Sequence, residues 1–167
     1  MKNKIEIINT GGTFNKIYNP LKGKLEVPKN NFAVDDILTN LYKTNDKPDV
    51  CGIIYKDSLD INSNDRKKLL HKIKGIKSKK IIIIHGTDTM GKSATYLAKH
   101  IKNKKIVFVG AMQPYSYEKV EASANLALAI GFLSSKVNNG IYISMNGLVS
   151  TFDKIVKNYK LGKFECL

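Results

Sequence analysis

The sequence predicts an α/β fold in which a mostly parallel sheet is covered by helices on both faces. Short β-branched runs alternate with segments of helical periodicity, which is the pattern of repeated strand-helix units. The predicted strands are apolar at consecutive positions, as expected where both faces of a parallel sheet are buried. A length of 167 residues suits one such domain and is short for two.

Five runs have the composition of buried strands, and four segments between them have apolar residues at helical spacing. The predicted strands are residues 5–8, 50–55, 81–84, 106–109 and 141–145. The predicted helices are residues 33–42, 63–73, 90–101 and about 118–135. Ser63 and Thr89 stand where capping residues are expected for the second and third helices.

Two segments do not fit simple strand-helix units. Residues 14–28 contain Asn19-Pro20 and Gly23 between strand-like residues, which is typical of a hairpin or a mobile flap above the first strand. The fourth predicted helix is apolar on nearly all sides, which one small domain does not cover by itself. Part of that helix is therefore expected to pack against another subunit.

The formal net charge of +14 by itself suggests a polyanionic partner. Of the 28 basic residues, however, only Arg66 is an arginine, and the lysines are scattered along the chain. Dispersed lysines are typical of a solvated surface, and no aromatic run of the kind that stacks bases accompanies them. Nucleic acid is therefore not expected as the main partner.

The two cysteines, Cys51 and Cys166, form neither a disulfide framework nor a zinc-binding pattern. The apolar stretch that follows Met1 is too short for the core of a signal peptide, and no segment is long enough to span a bilayer. We therefore expect a cytoplasmic protein without membrane contact or metal.

Two threonine-glycine turns carry the clearest chemical signal. Residues 10–13 read Thr-Gly-Gly-Thr after the first strand, and residues 85–89 read His-Gly-Thr-Asp-Thr after the third. Because ligands collect at the carboxyl ends of parallel strands, both turns are expected to reach one pocket. The two glycines before Thr13 let its hydroxyl approach a carbonyl closely and are expected to leave amide groups free for an oxyanion. Taken alone, a turn of this kind is more often a simple strand-to-loop reversal or a phosphate-binding turn than a catalytic one.

In the second turn Thr87 and Asp88 are adjacent. Threonine is a poor nucleophile until another group shares its proton, so a carboxylate and a lysine of lowered pKa would complete a proton relay. Asp88 and Thr89 also stand where they could cap the third helix. Both roles remain open.

The same residues match a competing motif. Residues 86–93 read Gly-x-x-x-x-Gly-Lys-Ser, the phosphate-binding P-loop pattern, and would place Lys92 and Ser93 on a nucleotide. Against this alternative, the preceding strand is third in order, no other strand ends in an aspartate for Mg²⁺, and residues 10–13 stay unexplained.

Together these residues resemble the bacterial-type L-asparaginase family, whose members are amidohydrolases that use threonine chemistry. The order and spacing of the motifs follow the family's amino-terminal domain along essentially the whole chain. The matching motifs are residues 10–13, Asp57-Ser58-Leu59-Asp60, residues 85–90, Val109-Gly110-Ala111-Met112-Gln113-Pro114, and Lys157 after Met145-Asn146.

The resemblance implies a three-layer, mostly parallel Rossmann-like sheet and hydrolysis of the side-chain amide of L-asparagine or a related small amide. Thr13 would be the nucleophile, Tyr18 the flap tyrosine above it, and Thr87, Asp88 and Lys157 a second catalytic cluster. Ser58 would bind the α-carboxylate and Asp88 the α-amino group. Substrate contacts are expected from Gly12, Asp57, Ser58, Leu59 and Ala111. The reaction would need no metal or cofactor.

Two departures from the family qualify this expectation. Leu59 replaces a polar residue that contacts substrate in many relatives, which would alter selectivity. Residues 1–167 would form a single amino-terminal-type domain, with the family's second domain absent. We therefore expect a homodimer or higher homo-oligomer that completes its pocket with a neighbouring copy. A catalytically weak amino-acid-binding module is the further alternative.

Overall fold

The computed structural model describes residues 4–43 and 46–167. The strands are β1 (Ile5–Gly11), β2 (Ile17–Asn19), β3 (Lys24–Glu26), β4 (Asp49–Lys56), β5 (Lys80–Ile84), β6 (Lys105–Val109), β7 (Gly140–Met145), β8 (Leu148–Thr151), β9 (Ile155–Asn158) and β10 (Lys163–Cys166). The helices are α1 (Phe32–Tyr42), α2 (Ser63–Gly75), α3 (Met90–His100) and α4 (Lys119–Ser134).

Six strands form the central sheet in the order β4-β1-β5-β6-β7-β8. The first five run parallel, and β8 pairs antiparallel with β7 at one edge. The carboxyl ends of the five parallel strands therefore meet at one side of the sheet, where polar turns can share a site. The predicted mostly parallel sheet is confirmed.

Helices cover both faces of the sheet and make three layers. Alternate residues of β5 point to opposite sides, so that Ile82 and Ile84 pack with α1 and α4 while Ile81 and Ile83 pack with α2 and α3. All four isoleucine side chains are fully buried. The consecutive apolar residues that predicted a two-sided parallel sheet reflect this packing.

The five predicted strands and four predicted helices are all present, but the capping of two helices differs from the prediction. The cap of α2 is Asn62, whose side chain accepts hydrogen bonds from two backbone N–H groups in a capping box with Asp65, so Ser63 lies inside the helix. Thr89 occupies the position before α3 but makes no capping hydrogen bond. Its hydroxyl is used in the site instead.

Residues 14–28 form the expected hairpin, in which β2 and β3 pair antiparallel and Tyr18 lies opposite Leu25. The strands after β7 were not predicted from the sequence. Asn146 and Gly147 both have positive φ, at 51° and 77°, and form a two-residue hairpin turn from β7 into β8. The hairpin β9–β10 then returns toward α3, with Ile155 and Phe164 buried in the core.

The fourth helix is close to the prediction, since Glu118 caps it. Its sequence is largely apolar, yet Val120 is 73% exposed.

Cys51 and Cys166 are both free thiols. Within residues 4–43 and 46–167, no helix is long and apolar enough to cross a membrane.

Candidate active site

Three turns at the carboxyl side of the sheet are stacked on one another through glycines. A Cβ placed on Gly12 would lie 2.4 Å from the backbone of Gly86, and one placed on Gly86 would lie 2.6 Å from Cβ of Ser58. The turn that ends β1, the turn that ends β5 and the turn that ends β4 therefore meet in backbone contact. Thr13 and Thr87, each one residue beyond a contacting glycine, lie in neighbouring turns.

Hydrogen bonds fix this stack. The N–H of Gly12 donates to the carbonyl of Lys56 over 2.8 Å. The hydroxyl of Thr89 donates to the carbonyl of Ser58 over 2.7 Å, and the hydroxyl of Thr10 donates to the carbonyl of Ile84 over 2.7 Å. Each bond joins two different turns or strands and is accepted by a backbone carbonyl, and the two side-chain donors are short threonine hydroxyls, so the relative position of the turns is closely fixed.

Thr13 begins a single 3₁₀ turn, Thr13–Asn15, and is half-buried. Within the described residues its hydroxyl forms no hydrogen bond, and neither does the hydroxyl of Ser58. Ser58 is only 1% exposed. Buried hydroxyl groups usually find a partner inside the protein. Two hydroxyls without one, in adjacent turns, are available to a ligand.

Lys157 on β9 joins the second turn to the final hairpin. Its Nζ lies 2.8 Å from Oγ1 of Thr87 and 2.5 Å from Oδ1 of Asp88. The lysine side chain is 12% exposed and that of Asp88 is 33% exposed. Tyr159 closes one side of the cluster, because its hydroxyl donates to the carbonyl of Asp88 and its ring lies 5.0 Å from the ammonium. An ammonium donor, a carboxylate and a hydroxyl are thus in direct contact.

A second ion pair lies between the first turn and the Ser58 turn. Nζ of Lys16 is 2.5 Å from Oδ2 of Asp57. Burial is the largest single influence and raises the pKa of Asp57, but the hydrogen bonds and charges around this carboxyl, the contact with Lys16 first among them, together hold its pKa below the usual value of 3.8. The backbone N–H of Leu59 and the charge of Lys157 lower the pKa of Asp57 further. The charge of Lys157 therefore reaches Asp57 as well as Asp88.

His85 supports the second turn from inside the core. Its Nδ1 lies 2.8 Å from the carbonyl of Gly86 and its Nε2 lies 2.9 Å from Oγ of Ser93, which accepts from Nε of Arg66. Complete burial lowers the pKa of His85 to about 4, and the charge of Arg66 acts in the same direction. A neutral ring with a proton on Nδ1 satisfies both contacts, so the histidine positions Gly86 without carrying charge.

Three residues named from the sequence do not join this cluster through their side chains. Tyr18 on β2 is 52% exposed, and Leu59, which follows Ser58 in the same turn, is 72% exposed. The side chain of Ala111 is 1% exposed and packs in the core between the sheet, α1 and α4.

One chemical expectation for the first turn is wrong. The N–H groups of Gly11 and Gly12 are not free for an oxyanion, because they donate to Oδ1 of Asn9 and to the carbonyl of Lys56. The two glycines instead allow the backbones of neighbouring turns to approach closely.

The P-loop interpretation lacks a ligand for magnesium, because the side chain of Ser93 is fully buried and hydrogen-bonded to His85 and Arg66.

Several residues of the site carried no recognisable signal in the sequence. Asn9, Asn15 and Lys16 hold the first turn, and Arg66 and Tyr159 support the second. One of them stands out in the sequence, because Arg66 is the single arginine among 28 basic residues. No group of three or more metal-binding side chains occurs among residues 4–43 and 46–167.

The chain is thus an α/β protein with a mostly parallel sheet, and its carboxyl side carries free hydroxyls beside a lysine-carboxylate pair, an arrangement in which a small polar molecule can bind. Residues 4–161 match the protein family described as "Asparaginase, N-terminal". This chain belongs to the asparaginase family.

Relatives and solved structures agree with this assignment. The glutaminase-asparaginase of Acinetobacter glutaminasificans is 25% identical over 169 residues, which cover 96% of this chain and 51% of the relative. L-asparaginase 2 of Escherichia coli is 30% identical over 157 residues, which cover 87% of this chain and 43% of the relative. The chain thus spans about half the length of these relatives.

The fold agrees with two solved structures. The thermostable L-asparaginase from Thermococcus kodakarensis superposes with a TM-score of 0.81 at 22% identity, over 98% of this chain and 51% of that one. The probable cytoplasmic L-asparaginase from Campylobacter jejuni superposes with a TM-score of 0.76 at 23% identity, over 99% of this chain and 53% of that one. The predicted three-layer α/β fold is therefore confirmed.

Proposed function

We propose that this chain is an asparaginase-like amidohydrolase that converts L-asparagine, or a related small amide, to the acid and ammonia with Thr13 as nucleophile. The observation that carries the proposal is the contact of Lys157 with both Thr87 and Asp88, directly beside the turn that presents the unpaired hydroxyl of Thr13. Membership of the asparaginase family supports the same reaction class.

The reaction proceeds in two balanced steps. In the first, Oγ1 of Thr13 attacks the amide carbon, the C–N bond breaks, and the hydroxyl proton leaves with the nitrogen as ammonia. In the second, water attacks the threonine ester, the acid is released, and a proton returns to Oγ1 of Thr13. Lys157, Thr87 and Asp88 form a hydrogen-bonded cluster through which a proton can move to the leaving group and from the water.

The charges of the site suit a zwitterionic amino-acid amide. Ser58 offers an unpaired hydroxyl to the α-carboxylate, and the partly exposed carboxylate of Asp88 can accept from the α-amino group. Asp57 and Lys16 neutralise each other at the rim. Alternating charges of this kind bind a small zwitterion without leaving a net charge buried. Leu59 supplies an apolar rim position that makes no hydrogen bond to the substrate.

We propose that the chain forms one amino-terminal-type domain and that a second copy of the chain completes the pocket. The support is a group of exposed apolar side chains around the site. They are Ile17, Tyr18, Leu59, Val156, Tyr159 and Leu161. Covering these side chains would exclude water and strengthen every charge interaction within the pocket.

Ammonia release from L-asparagine and L-glutamine tests the proposal, with Thr13→Ala and Thr13→Ser compared with the wild type. Alanine removes the nucleophile and is expected to abolish turnover, while serine keeps an attacking hydroxyl and retains part of it. Equal rates for the wild type and Thr13→Ala would reject Thr13 as nucleophile. Stabilisation by L-aspartate without turnover would instead identify an amino-acid-binding module.

A further inference from the structure

Two asparagines inside the first turn are buried and paired with each other. Asn9, in β1, is fully buried, and Asn15, at the end of the turn that Thr13 begins, is 4% exposed. Nδ2 of Asn9 donates to Oδ1 of Asn15 over 2.9 Å, and Nδ2 of Asn15 donates to Oδ1 of Asn9 over 3.0 Å. This reciprocal pair spans the segment that contains Thr13.

The same two amides hold both polar groups of Gly11. The N–H of Gly11 donates to Oδ1 of Asn9 over 3.0 Å, and the carbonyl of Gly11 accepts from Nδ2 of Asn15 over 2.8 Å. Gly11 has a φ of 104°, a conformation that only glycine adopts without strain. The point where the chain leaves the strand is therefore fixed by four hydrogen bonds from two side chains. We call these four bonds the asparagine clamp.

The clamp is anchored outside the turn. Nδ2 of Asn9 also lies 3.1 Å from Oδ1 of Asn31 at the start of α1, and that oxygen accepts a second hydrogen bond from the hydroxyl of Tyr55 over 3.1 Å. Tyr55 has a positive φ of 55°, and its ring fills the space beside Gly52 that any side chain there would need. The clamp is thereby tied to both α1 and β4.

The hydroxyl of Thr13 has no comparable support, because it forms no hydrogen bond among the described residues. Its direction depends on the backbone of the turn. Hydrogen bonds are directional whereas apolar contacts are not, so buried amides determine the orientation of a turn more narrowly than apolar side chains of similar volume. A displacement of about 1 Å at a reacting atom lowers a rate by about 10²-fold.

We propose that Asn9 and Asn15 are positioning residues that aim the hydroxyl of Thr13 at the amide carbon. This inference rests on the proposed function, because it assigns to the clamp a role in the attack by Thr13. The clamp does not touch the substrate. Its loss should therefore lower kcat and leave KM nearly unchanged, since substrate contacts remain while the attacking atom is misplaced.

The test compares Asn15→Ala, Asn9→Ala, the double variant and a matched control, Ser78→Ala. Ser78 is 3% exposed and its hydroxyl donates to the carbonyl of Lys4, at the opposite side of the sheet from the turns. It therefore reports the cost of losing a buried hydrogen bond far from the site. Asn31→Ala, which weakens only the anchor, keeps the test informative if the clamp variants do not fold. Ammonia release, melting temperature and amide hydrogen exchange at Gly11 are measured for each.

For Asn15→Ala we expect kcat to fall about 10- to 100-fold with KM changed by less than about 3-fold. The double variant should lose about as much as either single variant, because the two amides act as one unit. Asn31→Ala should show the same kcat-specific loss, smaller in size. Exchange at Gly11 should accelerate in the clamp variants alone, and Ser78→Ala should keep the wild-type kcat.

A kcat for Asn15→Ala equal to that of Ser78→Ala at matched stability would overturn the inference, as would a loss confined to KM. An unchanged kcat in Asn31→Ala would also overturn the inference. A wild-type protein that releases no ammonia would reject the proposed function instead. In that event, unchanged exchange at Gly11 in Asn9→Ala would separately reject the clamp, because the N–H of Gly11 donates to Oδ1 of Asn9.

Discussion

Lys157 and Thr87 stand 70 positions apart in the sequence, yet Nζ of the lysine lies 2.8 Å from Oγ1 of the threonine. The lysine also reaches Asp88 at 2.5 Å and is itself mostly buried. The parallel sheet brings Thr87 to the carboxyl side, and the hairpin β9–β10 delivers the ammonium to the same place. The cluster therefore depends on two separate parts of the fold, the six-stranded sheet and the hairpin β9–β10.

Replacing Lys157 by methionine should remove the ammonium while keeping most of the apolar stem. We expect kcat for ammonia release to fall by about 10²- to 10³-fold, the range for loss of a group that transfers protons. Because Asp88 is partly exposed and stays solvated, the free energy of unfolding should change by less than about 1 kcal/mol. Lys154→Met, at an exposed position of the same segment, is the control and should be as active as wild type. Retention of activity in Lys157→Met would exclude the lysine from the reaction.

Gly12→Ala should be far more damaging than Gly23→Ala, although both glycines have positive φ, at 79° and 62°. A methyl group on Gly12 would lie 2.4 Å from the backbone of Gly86, whereas nothing lies within 4 Å of one on Gly23. We expect Gly12→Ala to lower the free energy of unfolding by more than about 3 kcal/mol and Gly23→Ala by about 1 kcal/mol. Urea unfolding measures both, and equal losses would mean that the turns do not touch.

The neutral state of His85 should make the folded protein sensitive to mild acid. Its pKa is about 4 in the folded state and 6.5 when exposed, so unfolding takes up a proton between these values. Stability contributed by the neutral ring is complete above about pH 6.5 and falls by on the order of 3 kcal/mol as the pH approaches 4. Urea unfolding of the wild type and His85→Gln from pH 7 to 4 measures this slope. The change of the unfolding free energy with pH should be smaller in His85→Gln than in the wild type. It should be unchanged in the control His71→Gln, because the side chain of His71 is exposed. The same pH dependence in the wild type and both variants would assign the acid sensitivity to other groups.

Magnesium and ATP should not stabilise this protein, even though residues 86–93 match the P-loop pattern. Ser93, which would have to reach the magnesium ion, is fully buried and bonded to His85 and Arg66. We expect the melting temperature to be unchanged with 1 mM Mg-ATP, a concentration well above the affinities typical of nucleotide sites (~µM). An increase that disappears in Lys92→Ala would favour the nucleotide alternative.

Most of the fold could be predicted from the sequence, because strands buried on both faces and helices buried on one face impose different apolar periods. The runs at 81–84 and 106–109 are buried at every position, which leaves no other interpretation. The strands in the last 20 residues were harder to predict from the sequence. Lys163–Cys166 alternates charged and apolar residues over only four positions, too few to separate from a loop, although the Asn146-Gly147 turn was a usable hairpin signal.

For the site, the sequence predicted the two threonine turns, and the structure brings them into contact. The supporting contacts could not be predicted. Asn9 and Asn15 differ by six positions and bond only because the chain turns at Gly11 and Gly12, while Arg66 and Ser93 come from different helices. Short polar side chains bond to many partners, so their pairing is decided by the tertiary structure.

The hairpin β9–β10 lies outside the six-stranded sheet and pairs only with itself, held to the core mainly through Ile155 and Phe164. A ribbon of this size can open locally at a lower free energy than the whole domain. Opening would withdraw the ammonium and leave the rest of the molecule folded. On heating, we therefore expect turnover to disappear before the far-ultraviolet circular dichroism changes, because the small peripheral ribbon would open before the sheet unfolds.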